Sequence, residues 1–475
     1  MAVHVYGWGR GGAGWGRGHG SGPGGEGRAD ALYPRRQKRL EVDAAILEVG
    51  LGDEYVAVLT ADGEVYTMGE GRDGQLGHGA DRTVLDEFVR VDALAGFYAN
   101  RPPIVIVHLA VGRRHVLAVA RDGALYSWGC GSRAQLGHGA LRNEYEPRQI
   151  GKLAATTIVR AWVQDEASYA LDACGGLYAW GYAPDGRLGV HAAPGNGGDL
   201  PPQAQLVLVP AFVPATMAMP LVALDVGDDH AAGIAADGTL LLGTGNRERC
   251  FTPTAIAFPP TAPPTTRRAP EMPAISITMV VEESDDPVGS AADSSVVVDA
   301  DDAPTAAAPP PSADEADSGS ARDKDADADQ LARPVDVAAG SSFTLVLDSG
   351  GRVYSTGLNS HGQLGLGKPH AKDASIAGLA HIPKLVGVAS IHAAGLSAAA
   401  ILDDGVLVTW GYGRDGRLGV GLRASLALPT QVAALAGKHV VHVNMGGGRM
   451  AALVLAEDTT EVTDPVTACR TTLTF

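Results

Sequence analysis

A short pattern recurs along this chain and constrains its fold more than any other feature. One copy runs through Gly52-Asp-Glu-Tyr55, Asp62-Gly63, Val65-Tyr-Thr-Met-Gly69 and Gly74-Gln-Leu-Gly77. The next copy keeps the order as Gly112-Arg-Arg-His115, Asp122-Gly123, Leu125-Tyr-Ser-Trp-Gly129 and Ala134-Gln-Leu-Gly137. The third part of each copy ends in a glycine, as in Tyr-Ser-Trp-Gly129. The residue before this glycine lies at positions 8, 68, 128, 180, 244, 356 and 410. Seven units of this kind predict a repeat architecture.

Each unit is predicted to form four short antiparallel strands. Runs such as Leu125-Tyr-Ser-Trp alternate between the two faces, which is typical of a strand buried on one side. The Asp-Gly pairs at 62, 122, 237 and 404 predict tight hairpins, because such turns need a residue with positive φ. Four strands in about 50 residues correspond to one blade of a β-propeller.

The two ends of the chain hold complementary halves of one unit. Residues 3–9 carry only its later half, and residues 440–455 carry only its opening strands. Pairing of the two ends would close the ring and leave no free edge strand between the first and last blades. We therefore predict an all-β, seven-bladed β-propeller that is closed by its N- and C-terminal strands.

One interval between units is 112 residues long, whereas the others are 52 to 64. The excess coincides with residues 251–333, a Pro/Ala/Asp-rich segment. Within it, residues 281–330 hold fifteen Asp or Glu and two basic residues, and so carry most of the net charge of −17. Such a composition cannot bury enough apolar surface to offset the entropy of ordering. The sequence predicts propeller parts at 1–250 and 334–475, separated by a long disordered acidic insertion at 251–333.

These landmarks resemble the regulator-of-chromosome-condensation repeat family, whose units carry a G-x-x-H strand, a D-G turn, a Tyr-x-Trp-Gly strand and a G-Q-L-G loop. The resemblance covers the whole chain except the insertion. It implies a seven-bladed propeller. The family includes a nucleotide exchange factor for the Ran GTPase, scaffolds and ubiquitin-ligase modules, and the fold by itself does not choose among these functions.

Function is expected where the blades differ. The glutamines and histidines that recur at equivalent positions, Gln75, Gln135, Gln363, His115 and His230, are expected to serve the scaffold. The two variable residues inside each G-x-x-H loop should surround one end of the channel. In four successive blades they are Asp53, Glu54, Arg113, Arg114, Asp165, Glu166, Asp228 and Asp229. We predict that these eight residues form a protein-binding surface for a partner with a basic patch; the alternative is that they are solvated turn residues.

The chain shows no P-loop, HExxH or G-x-S-x-G motif and no CxxC pair, which predicts no enzyme activity, no cofactor and no metal site. We expect a protein-protein interaction scaffold; the alternative is a guanine nucleotide exchange factor for a Ran-like small GTPase. The near-neutral body argues against DNA as a partner. Prolines interrupt residues 206–224, nineteen residues without a charge, and argue against a membrane span. A cytoplasmic location, a nuclear location or both are expected, because the N-terminus lacks a secretory signal.

The insertion contains one further candidate contact. Ile277-Thr-Met-Val-Val281, followed by Glu282-Glu-Ser-Asp-Asp286, resembles a SUMO-interacting motif. In such motifs a short apolar strand adds to a sheet edge while carboxylates meet basic residues. Short motifs of this kind also arise by chance, so SUMO binding is one hypothesis and a motif without function is the other.

Overall fold

Seven antiparallel sheets of four strands each form a propeller in the computed structural model. The structure describes residues 3–9, 31–36, 45–95, 102–183, 188–190, 206–228, 230–244, 254–256, 333–367, 375–446 and 448–455. The first strands of the seven blades contact one another in order around the ring, so these strands surround the central channel. The predicted fold class and number of blades are confirmed.

The chain begins with two strands of one blade and then builds six blades from consecutive strands. The opening pair is β1 (Val3–Gly9) and β2 (Ala31–Arg36). Blades 1 to 3 consist of β3 (Ile46–Leu51), β4 (Tyr55–Thr60), β5 (Val65–Glu70), β6 (Val84–Arg90); β7 (Ile106–Val111), β8 (His115–Ala120), β9 (Leu125–Gly129), β10 (Glu144–Gln149); and β11 (Ile158–Gln164), β12 (Ala167–Asp172), β13 (Leu177–Tyr182), β14 (Leu206–Phe212). Blades 4 to 6 consist of β15 (Leu221–Val226), β16 (His230–Ala235), β17 (Leu240–Thr244), β18 (Thr254–Ile256); β19 (Pro334–Ala339), β20 (Phe343–Asp348), β21 (Val353–Leu358), β22 (Ser375–His381); and β23 (Val388–Ala394), β24 (Ser397–Leu402), β25 (Leu407–Gly411), β26 (Leu426–Gln431).

Blade 7 is assembled from both ends of the chain. Its inner strands are β27 (Val440–Gly446) and β28 (Arg449–Leu455), and its outer strands are β1 and β2. Strand β1 pairs antiparallel with β28 in continuous register from Val3 opposite Leu455 to Gly9 opposite Arg449. The predicted closure of the ring by the N- and C-terminal strands is therefore confirmed.

Blade 4 extends beyond the boundary that composition predicted. Strand β18 pairs with β17, with Ile256 opposite Leu240 and Thr254 opposite Leu242. Residues 254–256 thus belong to a blade, although their composition predicts that they are part of the insertion. Pairing with β17 provides hydrogen-bond partners for the backbone N–H and C=O groups of β18. Amino-acid composition gives no information about such pairing. Residues 257–332, which contain the SUMO-like motif, lie outside the described residues.

The Asp-Gly turns connect the second and third strands of a blade at the end of the ring opposite the G-x-x-H loops. Gly63, Gly123 and Gly405 have φ of 80°, 82° and 81°, the left-handed conformation that glycine adopts without steric cost. In the second blade the carboxylate of Asp122 accepts a hydrogen bond from the amide of Ala124 at 3.0 Å. These contacts explain why Asp-Gly recurs at this position.

The core lies between neighbouring blades. The second strands β4, β8, β16 and β20 are buried along their whole length. The tryptophans of the third-strand positions, Trp8, Trp128, Trp180 and Trp410, are almost completely buried. The described helices are single 3₁₀ turns at Gly151–Leu153, Pro214–Met217, Arg414–Gly416 and Ala433–Leu435. No helix in the described ranges has the length and apolar character that a membrane crossing requires.

Candidate protein-binding face

The loops between the first and second strands lie together at one end of the channel and do not all share one conformation. In blade 3 a two-residue turn with Asp165 at a φ of 49° connects Gln164 to its partner Ala167. In blades 1, 2, 4 and 5 the loop glycine amide donates to the carbonyl of the residue three positions later at 2.8 to 2.9 Å, as from Gly112 to His115. A Cβ at Gly112 would lie 2.2 Å from the Val163 side chain of the next blade. Glycine therefore allows adjacent loops to approach closely, and the variable residues after it form a continuous rim.

Arg113 links the rim loops of three blades. Its Nε donates to Asp53 Oδ1 at 3.0 Å, and its Nη1 lies 3.5 Å from Asp165 Oδ1. The amide of Asp53 also donates to the carbonyl of Arg113 at 3.0 Å. The hydrogen bond to Asp53 is the main cause that raises the pKa of the Arg113 guanidinium. The side chain nevertheless stays 62% exposed, so this link faces solvent.

Arg114 and Glu166 contact side chains outside the eight predicted residues. Arg114 pairs with Asp73, whose carboxylate also accepts from Asn143 Nδ2 at 3.1 Å. Glu166 Oε2 lies 3.6 Å from Arg133 Nε. The missed residues, Asp73, Arg133 and Asn143, come from the loops between third and fourth strands, which reach the same end of the ring. The Gly-Gln-Leu-Gly motif beside them is the signal that could have drawn attention to these loops.

The Arg133 guanidinium has a second contact on this face. It lies 4.8 Å from the centre of the Tyr182 ring, a cation-π arrangement. Arg133, in blade 2, therefore contacts both a carboxylate and an aromatic ring of blade 3. Its side chain remains half exposed.

Asp228 continues the rim across blade 4. Its two carboxylate oxygens accept hydrogen bonds from Gln164 Nε2 and Ser341 Oγ, which belong to the blades on either side. The Ser341 amide in turn donates to the Gly395 carbonyl of blade 6 at 2.6 Å. Asp229, the eighth predicted residue, lies outside the described residues. Glu54 is exposed in the loop of blade 1.

The structure thus gathers seven of the eight predicted residues on one face, with the missed Asp73 and Arg133 among them. We call this set the rim face: Asp53, Glu54, Asp73, Arg113, Arg114, Arg133, Asp165, Glu166 and Asp228. It contains six carboxylates and three guanidinium groups. Its excess of negative charge suits electrostatic attraction of a basic surface. Among the residues that the structure describes, no group of three or more His, Cys, Asp or Glu could hold a metal ion.

The repeated glutamines bind within the scaffold. The Oε1 atoms of Gln75, Gln135 and Gln363 each accept a backbone amide of their own loop at 2.8 Å. The carbonyl oxygens of the same residues accept the indole Nε1–H of a tryptophan in the following blade. One glutamine therefore shapes its turn and connects two blades.

The repeated histidines are also internal. Ser168 Oγ donates to the carbonyl of Gln135 at 2.7 Å, so His115 Nε2, 2.8 Å away, donates to that hydroxyl. Burial lowers the pKa of His115 to about 3, which keeps the ring neutral. His230 makes the corresponding contact with Thr344 Oγ1 at 2.7 Å. These partners agree with a structural role for both residues.

Comparison with known proteins identifies the repeats. Two profiles of the regulator of chromosome condensation (RCC1) repeat match the chain, one at residues 62–119, 122–164, 350–395 and 404–453 and the other at 106–135 and 335–363. The E3 ubiquitin-protein ligase HERC2 of Homo sapiens is 30% identical over 185 residues, which are 39% of this chain and 4% of HERC2. The chain thus matches only a small part of that relative.

Two solved structures share the fold along most of the chain. Human WBSCR16 superposes with a TM-score of 0.65 and 18% identity, covering 96% of this chain and 100% of that one. Prp20p of Saccharomyces cerevisiae, whose structure was described together with its binding to Gsp1p and histones, gives a TM-score of 0.67 and 15% identity. That match covers 96% of this chain and 93% of Prp20p. At these identities the likeness concerns the fold alone.

Proposed function

The chain is built from RCC1 repeats arranged as a seven-bladed propeller, and from this premise we propose that it is a protein-protein interaction scaffold. The rim face would bind a partner with a basic patch. The observation that carries the proposal is the meeting of charged loops from four successive blades at one end of the ring. The repeated Gln and His side chains are buried within the propeller, whereas Glu54 and the three rim arginines are exposed.

Electrostatics support a basic partner. Asp53, Asp165 and Glu166 each have an arginine nearby, but those arginines are half exposed or more and leave the carboxylates accessible to a competing cation. Exposed ion pairs contribute only about 0–1 kcal/mol to stability. Replacing an arginine of the rim face by a basic group of a binding partner therefore costs little free energy. Complementary charge would mainly accelerate association and select among partners.

The test compares the effect on binding of reversing charges on the rim face with the effect of reversing charges at the opposite, hairpin end of the ring. Partners are first identified by affinity purification of the full chain, and binding is then measured by calorimetry at low and physiological salt. We expect Asp165→Lys with Glu166→Lys to weaken binding at least about tenfold, with a smaller salt dependence. The matched control, Asp62→Lys with Asp122→Lys, reverses two exposed charges at the hairpin end and should leave affinity within about twofold. Equal effects of the two pairs would contradict the proposal.

The second candidate is guanine nucleotide exchange on a Ran-like small GTPase. It is supported by the shared fold with Prp20p, a protein studied for binding to Gsp1p. Release of a fluorescent guanine nucleotide from a panel of small GTPases, Ran included, separates the two functions. A scaffold leaves the release rate unchanged, whereas an exchange factor accelerates it catalytically. EDTA, which strips the magnesium ion, serves as the positive control for release.

A further inference from the structure

Four titratable side chains meet along the channel around the blade that closes the ring. They are His392 on β23, His442 on β27, Glu48 on β3 and His108 on β7. Their four strands are consecutive neighbours around the channel, and each of the four residues is half-buried. The two junctions of blade 7, the blade made from both chain ends, therefore contain ionisable groups. The rim face uses none of them.

Glu48 and His108 join three consecutive blades. His108 Nδ1 lies 3.1 Å from Glu48 Oε1, and its Nε2 lies 2.9 Å from the Ala161 carbonyl, so both ring nitrogens face oxygen acceptors. Glu48 Oε2 accepts the Leu109 amide at 2.8 Å. Burial raises the pKa of Glu48, but the charge and hydrogen bond of His108, together with His442 and the Leu109 amide, outweigh it and lower the pKa below its usual value.

His392 and His442 form a second contact, between blades 6 and 7. Their ring centres are 6.0 Å apart and the planes are nearly perpendicular. Burial, and then the neighbouring His442, lower the pKa of His392 to about 3. Burial and His108 also lower the pKa of His442, although Glu48 and a backbone hydrogen bond with Val49 oppose the shift. The groups facing this pair are therefore Ser390, Glu48 and His108, and only Glu48 is acidic.

The junction between blades 4 and 5 has the opposite chemistry. Asp225 on β15 accepts the Ala339 amide of the next blade at 2.7 Å. Burial raises the pKa of Asp225 to about 7 and that of Asp336 on β19 to about 6. Acidification neutralises these carboxylates and removes a buried charge, whereas at the histidine junction it adds one.

We propose that the propeller carries an acid-sensitive closure at blade 7. Protonation of His392 and His442 would place two positive charges beside His108, with Glu48 as the one counter-charge, and would separate blade 7 from blades 6 and 1. Blades 4 and 5 would stay packed under the same conditions. The ring would then open where its two chain ends meet.

The direction of the effect follows from proton linkage. The open form binds a proton on each histidine near the ordinary value of 6.5, whereas the closed form binds it only at lower pH. Closure is therefore fully stable above about pH 6.5 and weakens as the pH falls below it. At about pH 5.5, each histidine shifted as far as His392 raises the ratio of open to closed form about tenfold above its value at high pH.

Hydrogen-deuterium exchange on the full chain tests the proposal without any substitution. Exchange is measured at about pH 7.5 and 5.5 and corrected for the chemical pH dependence of amide exchange. We expect the protection of β1, β27 and β28 to fall at least about tenfold on acidification, while that of β15, β16, β19 and β20 stays constant or rises, because neutralising Asp225 and Asp336 removes buried charge. Unchanged protection of blade 7, or an equal loss in all blades, would overturn the proposal.

Two pairs of substitutions identify the groups responsible. His392→Gln with His442→Gln should keep blade 7 equally protected at both pH values, because neither amide titrates. The matched pair, Asp225→Asn with Asp336→Asn, should leave the tenfold acid response of blade 7 intact. A full acid response in the histidine variant would refute the assignment. Circular dichroism at about pH 7.5 checks that each variant folds. If a variant does not fold, the exchange profiles of the wild-type chain at the two pH values test the proposal.

Discussion

At the scale of single residues, the buried indole nitrogens are the most informative contacts. Trp128 Nε1 donates to the Gln75 carbonyl at 3.0 Å, and Trp180, Trp410 and Trp8 bind the preceding blade in the same way. Each tryptophan thus combines a large buried surface with one hydrogen bond between blades. The aromatic landmark of the repeat is explained by this double role.

Trp128→Phe should lower the free energy of unfolding by about 1–3 kcal/mol, because it leaves the buried Gln75 carbonyl without its donor. The measurement is denaturant unfolding followed by far-ultraviolet circular dichroism. Trp410→Phe, which removes the equivalent bond to Gln363, should cost a similar amount. A negligible effect at both positions would show that the hydrogen bond contributes little beyond the ring.

A second residue-scale prediction concerns two glycines without positive φ. A Cβ at Gly131 would lie 1.8 Å from the backbone oxygen of Arg142, whereas a Cβ at Gly151 would meet no atom within 4 Å. Gly131→Ala should therefore cost about 3 kcal/mol of stability, since backbone must move. Gly151→Ala, the matched control, should be neutral or stabilising by up to about 1 kcal/mol. Thermal unfolding of both variants checks the difference.

At the scale of elements, similar ion pairs differ in value according to the loop that holds them. Arg113 meets Asp53 in an exposed rim loop, whereas Arg352 Nε meets Asp348 Oδ2 at 2.8 Å in a hairpin. The Asp348 side chain is 0% exposed and also accepts the amides of its own turn. The first pair is free to respond to a partner, and the second belongs to the scaffold.

Arg113→Met should change the free energy of unfolding by less than about 1 kcal/mol, and by less still in high salt. Arg352→Met should cost about 3 kcal/mol, because it leaves a buried carboxylate without its counter-charge. Urea titrations at two salt concentrations measure both. Comparable costs for the two variants would mean that the rim loops carry structural rather than binding contacts.

At the scale of the whole molecule, blade 7 closes the ring through contacts on both sides. Trp8 Nε1 donates to the Arg417 carbonyl of blade 6, and the Leu51 amide of blade 1 donates to Asn444 Oδ1 at 3.2 Å. The N-terminal strand therefore links the last blade to its neighbour as well as completing its sheet. We therefore expect the loss of either terminal strand to affect the entire ring.

Deletion of residues 1–9 should lower the unfolding free energy by at least about 3 kcal/mol, because β28 loses one of its two partner strands and the buried Trp8 side chain is removed from the core. Replacement of residues 257–332 by a short Gly-Ser linker is the matched control. Loop length enters stability only logarithmically, so this larger deletion should change it by less than about 2 kcal/mol. Calorimetric unfolding compares them, and a greater loss from the internal deletion would contradict this account of closure.

The repeat, the blade count and the closure by chain ends were determined by the sequence alone, because they depend on local patterns that return at a regular interval. The structural roles of Gln75 and His115 could also be predicted from their recurrence. Blade 4 shows a limit, since a strand as short as β18 has no pattern of its own and depends on pairing with β17.

Only the tertiary structure decided which charges meet. Arg113 lies between Asp53 and Asp165, sixty and fifty-two residues away in the chain, and Asp73 and Arg133 join the same face from other loops. The channel cluster of Glu48, His108, His392 and His442 is likewise spread over four blades. Such contacts depend on the angle and spacing between neighbouring sheets, which arise from the packing of the whole ring and leave no periodic signal in a single unit.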